Sequence, residues 1–160
     1  MKSAKLSLFC LLVSLVLLLC GCGEKRTLTA GQICSEIRDS SADGIAYSQL
    51  KGADLENYFS FVQNDLEDFS VLIDQNDEHL NLIAAFLPKE GNREKILSGI
   101  SQYLSASGAS YRVLGETEFK KIQSRLIFEK DSYLILVILP SYEPVTRLLE
   151  EWKAVPVSLG

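Results

Sequence analysis

A chain of 160 residues, 47% of them hydrophobic and 23% charged, is long enough for one domain with its own core. Its formal net charge of −5 gives no electrostatic reason to bind nucleic acid, whose phosphates attract a basic surface. The sequence contains one histidine, so a histidine-based metal site would lack ligands. We therefore expect no nucleic-acid partner, no metal and no cofactor.

The N-terminus carries the basic residues Lys2 and Lys5 and continues as an apolar run of about 15 residues that ends at Cys20. A helix that spans a bilayer needs roughly 20 apolar residues. The run is therefore short for a transmembrane helix and has the length of the hydrophobic region of a secretory signal. The pattern predicts a signal peptide over residues 1–21.

The end of this run, Leu19-Cys20-Gly21-Cys22, resembles the lipobox of bacterial lipoproteins. The resemblance implies cleavage between Gly21 and Cys22, a diacylglycerol thioether on Cys22, and an acyl chain such as palmitate on the new amine. Cys20 is the rival position, but it would place Leu19 before the cut, where a small residue is needed. The implied product is anchored by lipid to the extracytoplasmic face of the cell membrane. It would consist of a tether at residues 22–28 and a single domain at residues 29–160.

Removal of the signal would change the charge and the cysteine inventory. Loss of Lys2 and Lys5 takes the formal net charge from −5 to −7. Besides the lipidated Cys22, only Cys34 remains, so no internal disulfide can form and the domain depends on its core. Free cysteine is usually buried. We therefore expect Cys34 to be a core residue rather than a reactive thiol.

Helical segments are expected at the start of the domain. Thr29 and Gln32 stand three residues apart, as a capping box requires, so a helix is predicted to begin at Thr29. Turn-forming residues at 40–44 end it. A second, short helix is expected around residues 53–60.

Two hairpins and further helices follow. Apolar runs on either side of polar turns predict strands at residues 69–73, 80–87, 126–128 and 133–139. A long helix is expected from Arg93, with a bend or an end at Gly108, and a shorter one at about residues 116–123. Ser141 is expected to cap a final helix with Pro144 in its first turn, and Trp152 is expected to pack that helix against the sheet.

These elements predict an α+β domain. Its sheet would be antiparallel and four-stranded, built from the two β-hairpins, with the helices packed on one face. The order would be ββα-ββα after a helical N-terminal lead. The run at residues 133–139 is apolar on both faces, which indicates a central strand.

Three segments strengthen a second resemblance. They are Ala53–Tyr58, the pair Asp77-Glu78 before an apolar strand, and Asp131–Ile138. Together with the lipobox they resemble a family of small Firmicutes, largely clostridial, lipoproteins catalogued as a domain of unknown function. The likeness spans roughly residues 30–155. It implies a Gram-positive host and a cell-surface location, and it transfers no catalytic residue.

Few side chains suggest chemistry. His79 lies in a predicted turn without a nucleophile beside it, which favours a solvated residue. Asp74, Asn76 and Glu78 have the spacing of a calcium-loop start, but His79 stands where that loop needs glycine. We interpret them as a charged hairpin tip.

Other motifs lack their companions. Ser48-Gln49-Leu50-Lys51 matches the Ser-x-x-Lys of penicillin-recognising enzymes, but no Ser-x-Asn or Lys-Thr-Gly accompanies it. The adjacent pairs Glu67-Asp68 and Glu150-Glu151 are expected to be solvated rather than catalytic.

The leading hypothesis is a non-catalytic envelope lipoprotein that binds a protein or a small ligand. One alternative is an envelope-directed hydrolase that uses carboxylates. The other is a structural or inhibitory surface module, which would present an exposed apolar patch.

Overall fold

The computed structural model describes residues 28–159. The predicted signal peptide, the lipobox Leu19–Cys22 and the tether through residue 27 lie outside the described residues. Within residues 28–159, no helix is long and apolar enough to cross a membrane.

The described chain forms five α-helices around one six-stranded sheet. The helices are α1 Ala30–Ser41, α2 Leu55–Phe59, α3 Arg93–Leu114, α4 Glu116–Ser124 and α5 Glu143–Glu151. The strands are β1 Tyr47–Gln49, β2 Leu66–Asp74, β3 Leu82–Pro88, β4 Leu126–Lys130, β5 Tyr133–Ile138 and β6 Val155–Pro156. Short 3-10 turns at Gly52–Asp54 and Gln63–Asp65 flank α2. The spatial order is β1-β2-β3-β5-β4-β6, and every neighbouring pair is antiparallel.

The two predicted hairpins are confirmed. β2 and β3 pair across residues 75–81, and β4 and β5 pair across the two residues Asp131 and Ser132. These two residues have φ of 48° and 69°. Left-handed backbone at both central positions is the geometry whose twist matches that of the adjoining strands.

The predicted count of four strands is wrong, because two edge strands extend the sheet. β1 pairs with β2 through three residues, and β6 pairs with β4 through two. Strands this short show no alternation of apolar and polar residues. Pro156 is tolerated in β6 because an edge strand has an unpaired side that needs no N–H donor.

The prediction that helices cover one face is also wrong. Helices α2, α3 and α4 cover what we call the first face, where Phe59, Ile100 and Ile122 pack on the sheet. Helices α1 and α5 cover the second face through residues such as Ile33 and Leu149. All six residues of β5 are buried, and a central strand that is apolar on both sides needs a layer on each.

The helix boundaries agree with some of the sequence predictions and differ from others. Thr29 and Gln32 form the predicted capping box, in which the Thr29 N–H donates to Gln32 Oε1 at 2.9 Å. Gly108 neither ends nor breaks α3, which continues to Leu114. Ser141 does not cap α5: the residue before the helix is Tyr142, which makes no side-chain cap, while Pro144 lies in the first turn as expected.

Candidate functional site

A shallow, open cleft of about 660 Å³ lies at one end of the sheet, where β2 ends and β3 begins. We call this the loop end of the sheet. The cleft is framed by the segment before β1, the β2–β3 connection, α4 and the segment after β5. Its lining residues are Ile45, Ala46, Asp74, Gln75, Asn76, His79, Asn81, Thr117, Glu118, Lys121 and Pro140.

Glu118 is the buried carboxylate of this cleft, with only 8% of its surface exposed. It stands four residues before the buried Ile122 on α4, and residues four apart share one helix face. The carboxylate is therefore carried toward the sheet. Its Oε2 accepts a hydrogen bond of 2.7 Å from the backbone N–H of Leu80. A charged side chain of α4 thus binds the backbone of the β2–β3 connection.

Lys121 neutralises Glu118 one turn further along α4. Its ammonium nitrogen lies 2.9 Å from Glu118 Oε2 and donates to Asn81 Oδ1 at 3.0 Å. The side chains of Lys121 and Glu118 are each 11% exposed. Asn81, which is 4% exposed, turns its amide nitrogen toward Asp74 Oδ2 at 2.6 Å. These four residues form one continuous polar network from α4 to the end of β2.

Asp74, Asn76 and Glu78, which have the spacing of a calcium loop, make turn contacts instead. Asp74 Oδ1 accepts from the Asn76 N–H at 2.8 Å, and Asn76 Oδ1 accepts from the Glu78 N–H at 3.0 Å. Side chains that bond to backbone two residues ahead stabilise turns. No group of three or more metal-ligating side chains of the His, Cys, Asp and Glu types gathers anywhere in residues 28–159.

His79 lies in the β2–β3 connection, as predicted, and about half of its side chain is exposed. Its Nδ1 stands 3.5 Å from Glu118 Oε1, a contact that becomes an ion pair when the imidazole is protonated. His79 is therefore the solvent-facing member of the network. No serine or cysteine is hydrogen-bonded to it within the described chain.

Cys34 is buried on the second face, as predicted, and is 1% exposed. Its thiol donates to the backbone oxygen of Ser70 at 3.4 Å. Burial raises the pKa of the Cys34 thiol from 9.0 to about 12. The thiol is therefore protonated at neutral pH, and it is the thiolate that acts as a nucleophile.

The predicted carboxylate pairs separate. Glu67, Glu150 and Glu151 are exposed, as expected. Asp68 is half-buried instead, because its Oδ2 accepts from the Ala30 N–H and from the Tyr133 hydroxyl, both at 2.8 Å. This carboxylate joins the start of α1 to the sheet.

The Ser-x-x-Lys pattern and the tryptophan occupy ordinary structural positions. Ser48 lies on edge strand β1, and Lys51 is exposed beyond it. Trp152 follows the last residue of α5 and packs against the hydrophobic residues of the second face, in agreement with its predicted role as a packing anchor.

Sequence reasoning missed the centre of the cleft: Glu118, Lys121 and Asn81. One local signal was present, because Glu118 falls on the apolar stripe of α4. The contact with residues 80 and 81 joins segments that are about 40 positions apart, and no periodicity reports such a contact. No protein-family model, curated protein or solved structure matches the chain.

Proposed function

We propose that the protein is a lipid-anchored extracytoplasmic lipoprotein whose domain binds a small ligand or a protein at the cell envelope, through the cleft at the loop end. The position of the cleft relative to the start of α1 carries the proposal. The chain enters the fold at Ala30, whose N–H donates to Asp68 near the beginning of β2. The cleft lies where β2 ends, at Asp74. The stretch between them spans about 20 Å at 3.3–3.4 Å per residue, so the cleft lies at the opposite end of β2 from the point where an N-terminal tether joins the domain.

The N-terminal sequence pattern supports the lipid anchor. A basic start, an apolar run of signal length and Leu19-Cys20-Gly21-Cys22 support lipidation at Cys22. Two or three acyl chains hold a protein firmly, whereas one chain alone anchors it only marginally. Six residues, 23–28, would extend to roughly 20 Å, which keeps the domain near the bilayer.

The polar network favours recognition over carboxylate catalysis. Glu118 is hydrogen-bonded by Leu80 and neutralised by Lys121, and the two Asp74 oxygens accept hydrogen bonds from the Asn76 N–H and the Asn81 amide. A general acid or base must instead exchange a proton with a substrate in its reach. Because the carboxylates of Glu118 and Asp74 already have hydrogen-bond partners, they suit a preformed binding surface better than proton transfer. We therefore do not favour the hydrolase alternative.

Nor does the surface favour a module that acts through an apolar patch. Among the described residues, the large hydrophobic side chains that are exposed are Tyr58, Val113 and Val155. They lie on α2, α3 and β6, so they are spread over separate elements. Single exposed hydrophobic residues are normal on soluble domains.

The anchor is tested by substituting each of the two adjacent candidates. Cys22→Ala is expected to abolish metabolic labelling with a fatty acid and to release the domain from the membrane fraction. Cys20→Ala is the matched control and should remain labelled and membrane-bound. Labelling that survives Cys22→Ala, or that disappears only with Cys20→Ala, would contradict the assignment.

The cleft is tested with a photo-crosslinking amino acid placed in living cells. Thr117 is an exposed residue of the cleft, and Val155 is an exposed residue of β6, away from it. We expect a specific adduct from position 117 that position 155 does not give, identified by mass spectrometry. Equal adducts at both positions, or none above background, would count against a binding function of the cleft.

A further inference from the structure

A second cavity of about 150 Å³ lies on the other side of the β2–β3 connection, on the first face of the sheet. Three tyrosines line it: Tyr58 from α2, and Tyr103 and Tyr111 from α3. The rest of its lining consists of Ile73, Asp74, Asp77, His79, Leu80, Asn81 and Leu82. Asp74, His79 and Asn81 also line the cleft, so the two spaces flank the same connection.

The tyrosines converge because of their places in the helices. Tyr103 and Tyr111 are eight residues apart on α3, about two turns, and therefore share a face. Tyr103 forms the buried floor with 9% exposure, and Tyr58 stands at the mouth with 38%. Burial raises the pKa of Tyr103, the hydrogen bond with the Ser107 side chain lowers it, and the electrostatic effect of Tyr111 and Tyr58 raises it. The three phenol side chains therefore surround one small cavity.

The cavity also carries net negative charge. Asp74 is hydrogen-bonded by the Asn76 N–H and the Asn81 amide, which are neutral groups. Asp77 is exposed at the mouth, and within residues 28–159 neither aspartate forms an ion pair with lysine or arginine. His79 is the one basic side chain in the lining. The lining therefore offers two carboxylates whose charges no lysine or arginine neutralises.

We propose that the tyrosine-lined cavity binds an alkylated ammonium group, such as a quaternary ammonium or a methylated amine. Aromatic rings attract cations through their negative faces, and recognition of quaternary ammonium by aromatic cages is a recurrent use of this attraction. A cavity of about 150 Å³ has room for one benzene-sized group, which is the size of a trimethylated ammonium head. Asp74 and Asp77 add attraction for positive charge.

An alkylated ammonium fits better than a bare one. A primary ammonium is a compact, strongly hydrated group with three N–H donors, and its removal from water is costly. Alkyl groups replace those donors with apolar surface that Leu80, Leu82 and the rings can cover. This inference rests on the proposed binding function and names the class of ligand. The remainder of such a ligand would extend past His79 into the cleft.

The test titrates the full-length protein, purified in a detergent with an uncharged sugar headgroup. The probes are tetramethylammonium chloride and choline chloride, against sodium chloride at the same ionic strength. The neutral control is 3,3-dimethylbutan-1-ol, which has the shape of choline with carbon in place of the charged nitrogen. Tyrosine resonances followed by NMR report saturable binding. We expect saturation by both ammonium probes and at least fivefold weaker binding of the neutral isostere.

Variants separate the roles of ring and charge. Tyr111→Leu is expected to weaken choline binding by fivefold to thirtyfold, about 1–2 kcal/mol at 1.4 kcal/mol per factor of ten. Tyr111→Phe keeps the ring and should stay within twofold of the parent. Asp77→Asn should weaken binding at least twofold, whereas Asp131→Asn, an exposed aspartate in the other hairpin turn, should leave it unchanged.

Two kinds of result would overturn the inference. One is an absence of saturable ammonium binding, or equal affinity for choline and its neutral isostere. The other is unchanged affinity in both Tyr111→Leu and Asp77→Asn, with folding verified by Trp152 fluorescence. If ammonium binding fails while position 117 still gives its specific adduct, the ligand class is wrong and the proposed binding function stands.

Discussion

Replacement of Lys121 by methionine is expected to destabilise the domain by about 3 kcal/mol. The substitution keeps an unbranched side chain as far as the Cε atom and removes the ammonium that neutralises Glu118 at 2.9 Å. Glu118 then keeps the Leu80 N–H as its donor and loses its lysine, in a position that is 8% exposed. Breaking a buried ion pair by removal of one partner costs about 3–5 kcal/mol. We take the lower end because both side chains retain 11% exposure.

Urea unfolding at pH 7, followed by the fluorescence of the single tryptophan Trp152, measures this loss. With a slope of about 2 kcal/mol per molar urea, the midpoint should fall by roughly 1.5 M. Lys120→Met is the matched control. Lys120 is the neighbour of Lys121 on α4, and its ammonium lies 2.7 Å from the Glu116 carboxylate. The side chains of Lys120 and Glu116 are 67% and 80% exposed. Exposed pairs contribute little, so the midpoint of this control should not move measurably.

A double variant identifies the cause. In Glu118→Gln combined with Lys121→Met, the glutamine oxygen can still accept from the Leu80 N–H, and no carboxylate remains buried. This variant should recover most of the stability that Lys121→Met loses. If Lys121→Met is no more harmful than Lys120→Met, or if the double variant is as unstable as Lys121→Met, Glu118 and Lys121 do not form a stabilising buried ion pair.

The remaining predictions concern the two glycines of α3 and the buried Cys34. Gly99→Ala should destabilise by at least about 2 kcal/mol, because its Cβ would overlap the Phe59 carbonyl oxygen and the Phe61 ring. Gly108→Ala in the same helix should stabilise by roughly 0.5–1 kcal/mol, because the nearest atom stands 3.8 Å away; equal effects at both glycines in urea unfolding would refute this contrast. Cys34 should react with iodoacetamide at pH 8 only after unfolding, as mapped by mass spectrometry, and rapid labelling of the native protein would contradict its burial. Because burial raises the pKa of this thiol from 9.0 to about 12, its contribution to stability is complete below pH 9 and is lost as the pH rises through 12; Cys34→Ala should therefore reduce the alkaline loss of stability.

Local signals were sufficient for the elements that are built from neighbouring residues. The capping box at Thr29 and Gln32 lies within one turn, so its residues identify it without the rest of the fold. The hairpin turn at Asp131 and Ser132 is equally local, although the sequence placed the turn two residues too early at its start. The burial of Cys34 followed from the absence of a partner for it. In each case the interacting atoms are close along the chain, or composition alone limits the outcome.

The candidate site was beyond such signals. Asp74 and His79 were noticed for their residue types, and the sequence assigned them to a solvated hairpin tip. The tip becomes part of the candidate site only because α4 brings Glu118 and Lys121 against it, from about 40 positions further along the chain. Burial of these two charges depends on how α4 packs, and that packing is a property of the whole core. The tyrosine-lined cavity depends likewise on the approach of α2 to α3.

The sequence by itself determined an α+β domain with two hairpins, a capped first helix and a buried lone cysteine. The periodicity of apolar residues and the chemistry of turns act over a few residues, so both can be read along the chain. Tertiary structure alone decided that the sheet has six strands and that helices cover both faces. The fully apolar β5 already required a layer on each side, but which helix supplies each layer is set by the long-range packing of the chain. The same packing placed a buried ion pair and three tyrosines around the β2–β3 connection, where no stretch of sequence could place them alone.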